Sequence, residues 1–466
     1  MRQSNRTLWV DIEMMRRYDQ PGPRYTSYPT APQFTDLFAA AAFDKEIQQT
    51  NEHDQPADLS LYFHLPFCDT LCYFCGCTMI ITRNRQRIDD YLNYIIEEIK
   101  LIAARTKKGR RVAQLHWGGG TPTYLDPDQI RRLFSAMREH FEFHPDAEIG
   151  VEIDPRGMTE EHLDALRDVG FNRASMGVQD FEPQVQEAVN RLQSEDLTRW
   201  AFDGLRARGI NSINLDLIYG LPFQTEASFQ RTLDRIIDIS PDRLAIFNYA
   251  HVPWMKKHQK VIEESTLPKA AEKLSILKST IEKLTSVGYV YIGMDHFAKE
   301  NDSLTQALRE KTLYRNFQGY STKWGCDLYG LGMSSISQLR NVYAQNLKDI
   351  PHYYKRIESG KLATQRGYRL TDDDQLRRFV IMRLMCDFEL DKSRVEKKFN
   401  IKFDDYFEDA LPQLERFAVD GLIEWPNGKI VVTEMGRLLI RNIAMVFDKY
   451  LKQPKTQDSP VFSRTV

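Results

Sequence analysis

The chain has 466 residues, 42% of them hydrophobic and 27% charged, with 63 Lys and Arg against 65 Asp and Glu. This excludes a disordered, collagen-like or disulfide-stapled chain, and a net charge of −2 argues against a protein that holds nucleic acid through its overall charge. No run approaches the ~20 apolar residues needed to cross a bilayer, and the N-terminus lacks the apolar stretch of a secretory leader, so a cytoplasmic protein without a membrane partner is expected.

A single core stops growing near ~250–300 residues, which predicts one large domain with additions. Short β-rich runs at 59–65, 112–117, 148–153, 172–178, 212–219 and 243–249 alternate with helical patterns. The strands read as near-continuously apolar or β-branched, as expected of strands covered on both faces. Between the first two, Ile88, Leu92, Ile95, Ile99 and Ile102 share one helix face. Asp126, Pro127 and Gln129 read as an N-cap, a first-turn proline and a capping-box partner, opening a helix with Ile130, Leu133, Met137 and Phe141 inward. Thr159, Ser194 and Thr225 read as further N-caps. Alternating βα units imply a parallel sheet with right-handed crossovers.

The unusual residues fall at the carboxyl ends of these strands. Pro66 and a cysteine cluster follow the first, and Gly118-Gly119-Gly120-Thr121-Pro122 the second. The third ends in Glu152-Ile153-Asp154-Pro155 and the fourth in Gly177-Val178-Gln179-Asp180. The last two end in Asp216-Leu217-Ile218-Tyr219-Gly220 and Asn248-Tyr249-Ala250-His251. In parallel α/β folds that edge carries the ligand site, and six strands delivering glycines or polar groups to one edge is what a barrel mouth requires.

After about residue 365 the pattern changes. Helices are predicted at 372–386, 392–399 and 404–419, then a hairpin at 421–433 with an Asn427-Gly428 turn, then a last helix at 435–451. Helices plus a β-wing resemble a winged-helix module. The wing carries one lysine and no arginine cluster, so a lid or packing domain is expected rather than nucleic-acid binding.

Four of the six cysteines lie within ten residues: Cys68, Cys72, Cys75 and Cys77. In a reducing compartment such a cluster points to metal binding or catalysis, whereas Cys326 and Cys386 are expected as small core residues. No second CxxC or His-x3–5-His partner exists, and four thiolates in one short loop would crowd a tetrahedral zinc. Three thiolates spaced three and two apart suit three corners of a [4Fe–4S] cube and leave one iron open for a substrate or cofactor.

Cys68-x3-Cys72-x2-Cys75, with Phe74 just before the third cysteine, resembles the radical S-adenosylmethionine (SAM) superfamily. The segments 21–30 (PGPRYTSYPT), Cys75-Gly76-Cys77, 117–125 (WGGGTPTYL), 247–251 (FNYAH) and 316–320 (NFQGY) resemble, within it, the oxygen-independent coproporphyrinogen III oxidase family, over essentially the whole chain. The resemblance implies an α/β fold: a partial (β/α)6 barrel (residues 56–365), an N-terminal arm over the site (1–55) and a helical, winged-helix-like C-terminal domain (366–466). It implies oxidative decarboxylation of two propionates of coproporphyrinogen III to vinyl groups. The first step is hydrogen abstraction from a propionate β-carbon by a 5′-deoxyadenosyl radical, followed by loss of CO2 and one electron.

By the same resemblance Cys68, Cys72 and Cys75 bind the cluster and Cys77 does not. Tyr62, Gly119, Glu152 and Ile336 match contacts to a cluster-bound SAM. Phe74, Gly120, Thr121, Gln179, Arg191, Asp216 and Ala250 match contacts to a second SAM. Arg24 is the leading candidate for a substrate carboxylate; His64, His251, His296 and Tyr320 are weaker site candidates. Glycines at 118–120 are expected to let the backbone approach a ligand. An unidentified electron donor and acceptor are required, and a monomer is expected. The competing readings are a haem-binding chaperone of a related branch, which lacks the 24–30 segment and the Cys77 equivalent, and a radical SAM enzyme acting on another substrate.

Overall fold

All six predicted strands form, consecutive and parallel: β1 (Leu59–Leu65), β2 (Arg111–Gly119), β3 (Glu142–Ile153), β4 (Arg173–Gln179), β5 (Ser212–Tyr219) and β6 (Arg243–Asn248), each hydrogen-bonded to the next. The computed structural model describes residues 7–53, 55–452 and 462–465. Helices α1 (Arg85–Arg105), α2 (Pro127–His140), α3 (Glu160–Val169), α4 (Glu195–Ala207), α5 (Glu226–Ile239) and α6 (Ala270–Ser286) follow the six strands in turn. The capping box at Asp126 and Gln129 is present, and Ser194 and Thr225 accept from backbone N–H groups as caps. Ile88, Leu92, Ile95, Ile99 and Ile102 are all buried.

The strands differ from the expected both-faces-apolar pattern. Leu61, Phe63, Leu115, Trp117, Ile149, Val151, Ala174, Met176, Ile213 and Leu215 are buried on the helix-covered face. The register places Glu152, Ser175, Asn214 and Arg243 in one row of the other face, and Tyr62, His116, Gly150 and Arg173 in another. The strands therefore alternate, with polar groups lining the barrel interior.

The sheet extends past both ends of this set. Beyond β6 lies an antiparallel hairpin, β7 (Tyr289–Gly293) and β8 (His296–Lys299); beyond β1 lie β9 (Asp327–Leu331), β10 (Ile336–Gln338), β11 (Val342–Asn346) and β12 (Thr364–Arg369). The twelve strands run in the order β12-β11-β10-β9-β1-β2-β3-β4-β5-β6-β8-β7. The N-terminal segment joins the two flanks. Leu8 N–H donates to Thr285 Oγ1 on α6 (3.0 Å), and Arg24 pairs with Asp295 in the β7–β8 turn. Thr35 exchanges both backbone hydrogen bonds with Gly367 on β12 (2.9 and 3.0 Å).

The C-terminal part opens with α7 (Asp372–Asp387) and holds a three-stranded sheet of β13 (Glu389–Asp391), β14 (Ile423–Glu424) and β15 (Lys429–Val432), in the order β13-β15-β14. The Asn427-Gly428 turn forms, both residues having positive φ (51° and 75°). The predicted helix at 404–419 is two helices, Phe403–Tyr406 and Leu411–Val419, because Pro412 can only open a helix here. The last predicted helix also breaks, at Leu439 (φ −107°, ψ 21°). Cys386 is buried as expected; Cys326 is half-buried, at the edge of the core. No helix among the described residues is long and apolar enough to cross a membrane.

A Cβ on Gly367 would overlap the Tyr343 carbonyl and the Phe38 ring where the arm meets β12. Gly367→Ala should therefore destabilise the protein by about 1–3 kcal/mol, read as a lower urea midpoint. An unchanged midpoint would show that the arm is not seated on that edge.

Candidate functional site

β1 ends at Leu65, and Pro66 turns the chain into a loop closed at its base by parallel pairing of Phe67–Cys68 with Ile80–Ile81. All four cysteines of this loop are free thiols; Cys72 is buried, Cys68 and Cys75 half-buried and Cys77 exposed. Cys68 Sγ lies 3.3 Å from Thr121 Oγ1, and burial pushes its thiol up to about 12. Cys72 Sγ accepts from Arg156 (3.5 Å) and Arg191 (3.8 Å). Cys75 Sγ accepts from the Cys77 N–H (3.4 Å), and hydrogen bonding from Cys77 holds the Cys75 thiol below its ordinary value.

The glycine strand end clamps this loop. Gly120 N–H donates to Leu65 O (2.8 Å) and Thr121 N–H to Phe67 O (2.9 Å). A Cβ on Gly120 would stand 2.5 Å from the Pro66 carbonyl carbon, one on Gly119 2.5 Å from the His64 ring, and one on Gly118 2.7 Å from Glu152 Oε1. Gly119 and Gly120 are thus required by close approach within the protein itself, whereas a Cβ on Gly118 would meet only the end of the Glu152 side chain. Gly119 also has φ +113°, which favours glycine.

Inside the barrel, Tyr62 stacks on His116, ring centroids 6.1 Å apart, and His116 Nε2 lies 3.3 Å from Glu152 Oε1. Glu152 Oε2 accepts the Gly119 N–H (3.0 Å). Burial would raise this carboxyl, but His116 and the Gly119 N–H outweigh it and hold it below its ordinary value. Tyr62 donates to His64 Nδ1 (3.1 Å), and His64 Nε2 donates to Thr78 O (2.8 Å), tying the far side of the cysteine loop to β1. Burial pushes the Asp216 carboxyl up to about 6, although Asn214 (2.7 Å) and Ser175 (3.1 Å) both donate to it.

Arg191, 7% exposed, is no surface residue. It donates to Asp154 Oδ2 (2.9 Å), Gly177 O (2.6 Å) and Gln193 Oε1 (3.0 Å) while reaching Cys72. Arg156 also pairs with Asp154 (2.6 Å). Burial pushes the Asp154 carboxyl up, but the Arg191 charge and the Arg156 hydrogen bonds outweigh it and hold it at about 2.

The other expected site residues fall around this mouth. Gln179 sits in a left-handed conformation (φ 71°), and its buried Oε1 has no partner in the described structure. Phe74 packs against Val185, Val189, Leu221, Tyr249 and Ile262. Ala250 is exposed just past β6. Ile336 lies across from Gly330, the register partner of Tyr62, one strand further out. Arg24 lies apart from the cysteines; its guanidinium is paired with Asp295 over the Phe247 ring, and burial, with repulsion from Arg315 and Arg441, lowers its pKa to about 9. Of the weaker candidates, His64 braces the cysteine loop, His251 accepts from or donates to Tyr249 (2.9 Å), and His296 and Tyr320 stack edge-to-face beside the Arg24 side of the barrel.

The donor set fits the groups that the sequence resemblance implies. Among the described residues no three His, Cys, Asp or Glu side chains converge on a single ion, whereas a cube takes each thiolate on a separate iron. The orphaned Gln179 oxygen and the carboxylates of Glu152 and Asp216 offer acceptors for the hydroxyl and ammonium groups of a SAM molecule.

Sequence reading missed the loop after β6 that crosses the mouth. Lys256 Nζ donates to Cys77 O (2.8 Å), His258 Nε2 to Cys75 O (2.8 Å) and Gln259 Nε2 to Phe74 O (3.0 Å) and Ala250 O (3.3 Å). No motif marks these contacts. The pairing of Asp154 with Arg156 and Arg191 was also missed, although Arg191 itself was expected at the site, and its signal was weak: an acid and two arginines split between two loops.

Residues 62–236 match the radical SAM superfamily and residues 370–439 the HemN C-terminal domain. The chain is 48% identical to the oxygen-independent coproporphyrinogen III oxidase of Escherichia coli (strain K12) over 456 residues, 98% of each chain. It is 46% identical to that of Pseudomonas aeruginosa (99% of each) and 43% identical to that of Helicobacter pylori strain 26695 (95% of this chain, 97% of that one). The solved coproporphyrinogen III oxidase from E. coli, described as a radical SAM enzyme, superposes with a TM-score of 0.90 at 47% identity, covering 96% of this chain and 100% of that one.

Asp154 is held at about 2, below its free value of 3.8, so its pairing stabilises the fold above about pH 4 and is lost as pH falls toward 2. Asp154→Asn should cost about 3–5 kcal/mol at neutral pH by stranding the buried Arg191 and the half-buried Arg156, a difference from wild type that narrows on acidification. Urea titrations across that window check this; a gap independent of pH would mean the pair is not ionic.

Proposed function

Since this chain belongs to the oxygen-independent coproporphyrinogen III oxidase family of radical SAM enzymes, we propose that it decarboxylates two propionates of coproporphyrinogen III oxidatively, giving the two vinyl groups of protoporphyrinogen IX. Cys68, Cys72 and Cys75 would hold a [4Fe–4S] cluster, with Cys77 outside it. Tyr62, Gly119, Glu152 and Ile336 would contact a SAM on that cluster, and Phe74, Gly120, Thr121, Gln179, Arg191, Asp216 and Ala250 a second. When bound, cluster and SAM together supply a carbon-centred radical able to take hydrogen from a propionate β-carbon. Each decarboxylation releases CO2 and one electron, so an electron donor and an acceptor must visit the protein. The reaction is placed in the cytoplasm.

The chain's own residues bind, orient and shield. The observation that carries the reading is the convergence of the three thiols with Glu152, Gln179, Arg191 and Asp216 on one mouth. Arg191 and Arg156 place positive charge on Cys72 without themselves reacting. Glu152, locked by His116 and the Gly119 N–H, is ionised and oriented before any ligand arrives. Tyr62 and His64 brace the cysteine loop from below and Lys256, His258 and Gln259 from above. Arg24, held on Asp295, is the inner candidate for a propionate.

Anaerobically reconstituted protein incubated with SAM, a reductant and coproporphyrinogen III should give a product with two vinyl groups. A haem complex without vinyl product would overturn the reading in favour of a chaperone. Cys72→Ala should lose bound iron, sulfide and the visible cluster absorbance, while Cys77→Ser retains them; equal loss in both would show the ligand set to be wrong.

A further inference from the structure

Ion pairs account for most of the buried and half-buried arginines near the barrel: Arg173 with Glu148, Arg243 with Asp302 and Arg110 with Asp327 are examples. Arg315 and Arg441, buried beside Arg24 and donating to backbone carbonyls, depart from this pattern, and so do three cations at the mouth. Lys256, Lys348 and Arg366 have no carboxylate partner among the described residues. Lys256 comes from the loop after β6 and is fixed by Cys77 O (2.8 Å). Lys348 follows β11 on the opposite flank. Arg366 lies on β12, its Nε donating to Gln345 Oε1 (2.8 Å), which leaves the terminal guanidinium nitrogens for another acceptor. The neighbouring carboxylate, Asp349, is taken: it accepts the His352 N–H (3.1 Å) and pairs with the His352 ring (2.6 Å).

Register fixes which way Arg366 faces. Tyr62 pairs with Gly330, Gly330 lies across from Ile336, Ile336 pairs with Gln345, and Gln345 with Arg366. Residues in one such row share a face of the sheet, so Arg366 stands on the Tyr62 face, the barrel interior, two strand spacings or about 10 Å beyond Ile336. Partial burial and the Arg366 and Lys256 charges lower the Lys348 ammonium pKa, in accord with this placement.

We propose that Lys256, Lys348 and Arg366 form a carboxylate-binding subsite that holds the propionates of the tetracarboxylate substrate not undergoing reaction, while the reacting propionate lies toward Tyr62 and Glu152. The inference rests on the function proposed above and adds to it the site that orients the substrate. The guanidinium presents a planar fork to one carboxylate and the two ammonium groups supply point charges. A carboxylate of SAM has the same chemistry and is the alternative occupant.

The test uses the anaerobically reconstituted full chain with Lys348→Ala, Arg366→Gln and the double variant. KM for coproporphyrinogen III should rise about tenfold in each single variant and further in the double, as expected for loss of one charge-assisted hydrogen bond each. Iron content, KM for SAM and substrate-free cleavage of SAM should stay unchanged, and Arg366→Lys should recover part of the loss. Added salt should raise the wild-type KM more than that of the double variant. Lys348 stands in the loop after β11 with its residue surface exposed, its ammonium only partly desolvated, so its truncation opens no cavity in the core. An unchanged KM for coproporphyrinogen III in the double variant overturns the subsite, and so does a rise confined to the KM for SAM. A wild-type protein that never converts coproporphyrinogen III would instead sink the underlying function, a separate outcome.

Discussion

Two loops of this protein can only coexist because one of them has no side chains at the point of contact. The glycine strand end of β2 lies so close to the cysteine loop that Gly120 and Thr121 donate to Leu65 and Phe67 carbonyls, and a methyl group on any of Gly118, Gly119 or Gly120 would meet protein at 2.5–2.7 Å. Backbone-to-backbone contact of this kind is stiff, since neither partner can change rotamer to relieve it. It sets where Cys68 sits relative to Thr121, and it delivers the Gly119 N–H to Glu152. Thiol placement and carboxylate placement are thus consequences of one packing constraint, and a site that must hold reacting groups to within about half an ångström needs such a support.

The electrostatics of the mouth build on that frame. Buried acids are stable there only with donors, and each has a different set. Asp154 is ionised between two arginines, Glu152 between a histidine and a backbone N–H, while Asp216 has two neutral donors and is pushed up to about 6. Three carboxyls, two at the end of β3 and one on β5, therefore have three different proton affinities. Cys72 and Asp154 share the same two arginines, so the charge beside the thiol cannot be altered without disturbing the acid beneath it.

How much of this was legible in the sequence follows from what each feature depends on. The six strands, the helix caps and the Asn427-Gly428 turn are local, and hydrophobic period and cap chemistry report local structure. Glu152, Gln179, Arg191 and Asp216 were found because their neighbours in sequence form recognisable motifs. The inward polar rows were readable in principle, since Gln114 and His116, or Asn214 and Asp216, recur at period two; the apolar residues between them masked the alternation. The sheet's outer strands were not readable: β10 has only three residues, and the successive antiparallel pairing of β9, β10, β11 and β12 is set by tertiary packing. Lys256, His258 and Gln259 contact the cysteine loop across more than 170 residues of chain, and no local pattern encodes such a meeting. Arg24 shows the converse, a residue with a strong motif around it whose guanidinium goes to Asp295, a partner that only the fold supplies.

The acids Glu152 and Asp216 and the cations Lys256, Lys348 and Arg366 of this mouth stand on different strands and loops, and this limits what can occupy each place. The depth holds Glu152 and Asp216, with Asp154 neutralised by its arginines and Arg24 held on Asp295; the rim holds Lys256, Lys348 and Arg366 with no counter-ion among the described residues. SAM is a sulfonium with an ammonium group, and the carboxylates of the depth favour it there. A tetracarboxylate is repelled from the same acids and attracted by the rim. Were both ligands to compete for one undivided pocket, the one bound more tightly would exclude the other, since occupancy follows differential affinity alone. On the reading proposed here, separating the charges by strand, acids on β3 and β5 and cations on the far flanks, would let both bind at once with only one propionate required to cross toward the acids. In the proposed reaction the cost of that crossing would fall as the carboxyl group is lost as CO2, so the same repulsion that hinders entry would favour the neutral vinyl side chain once it has formed.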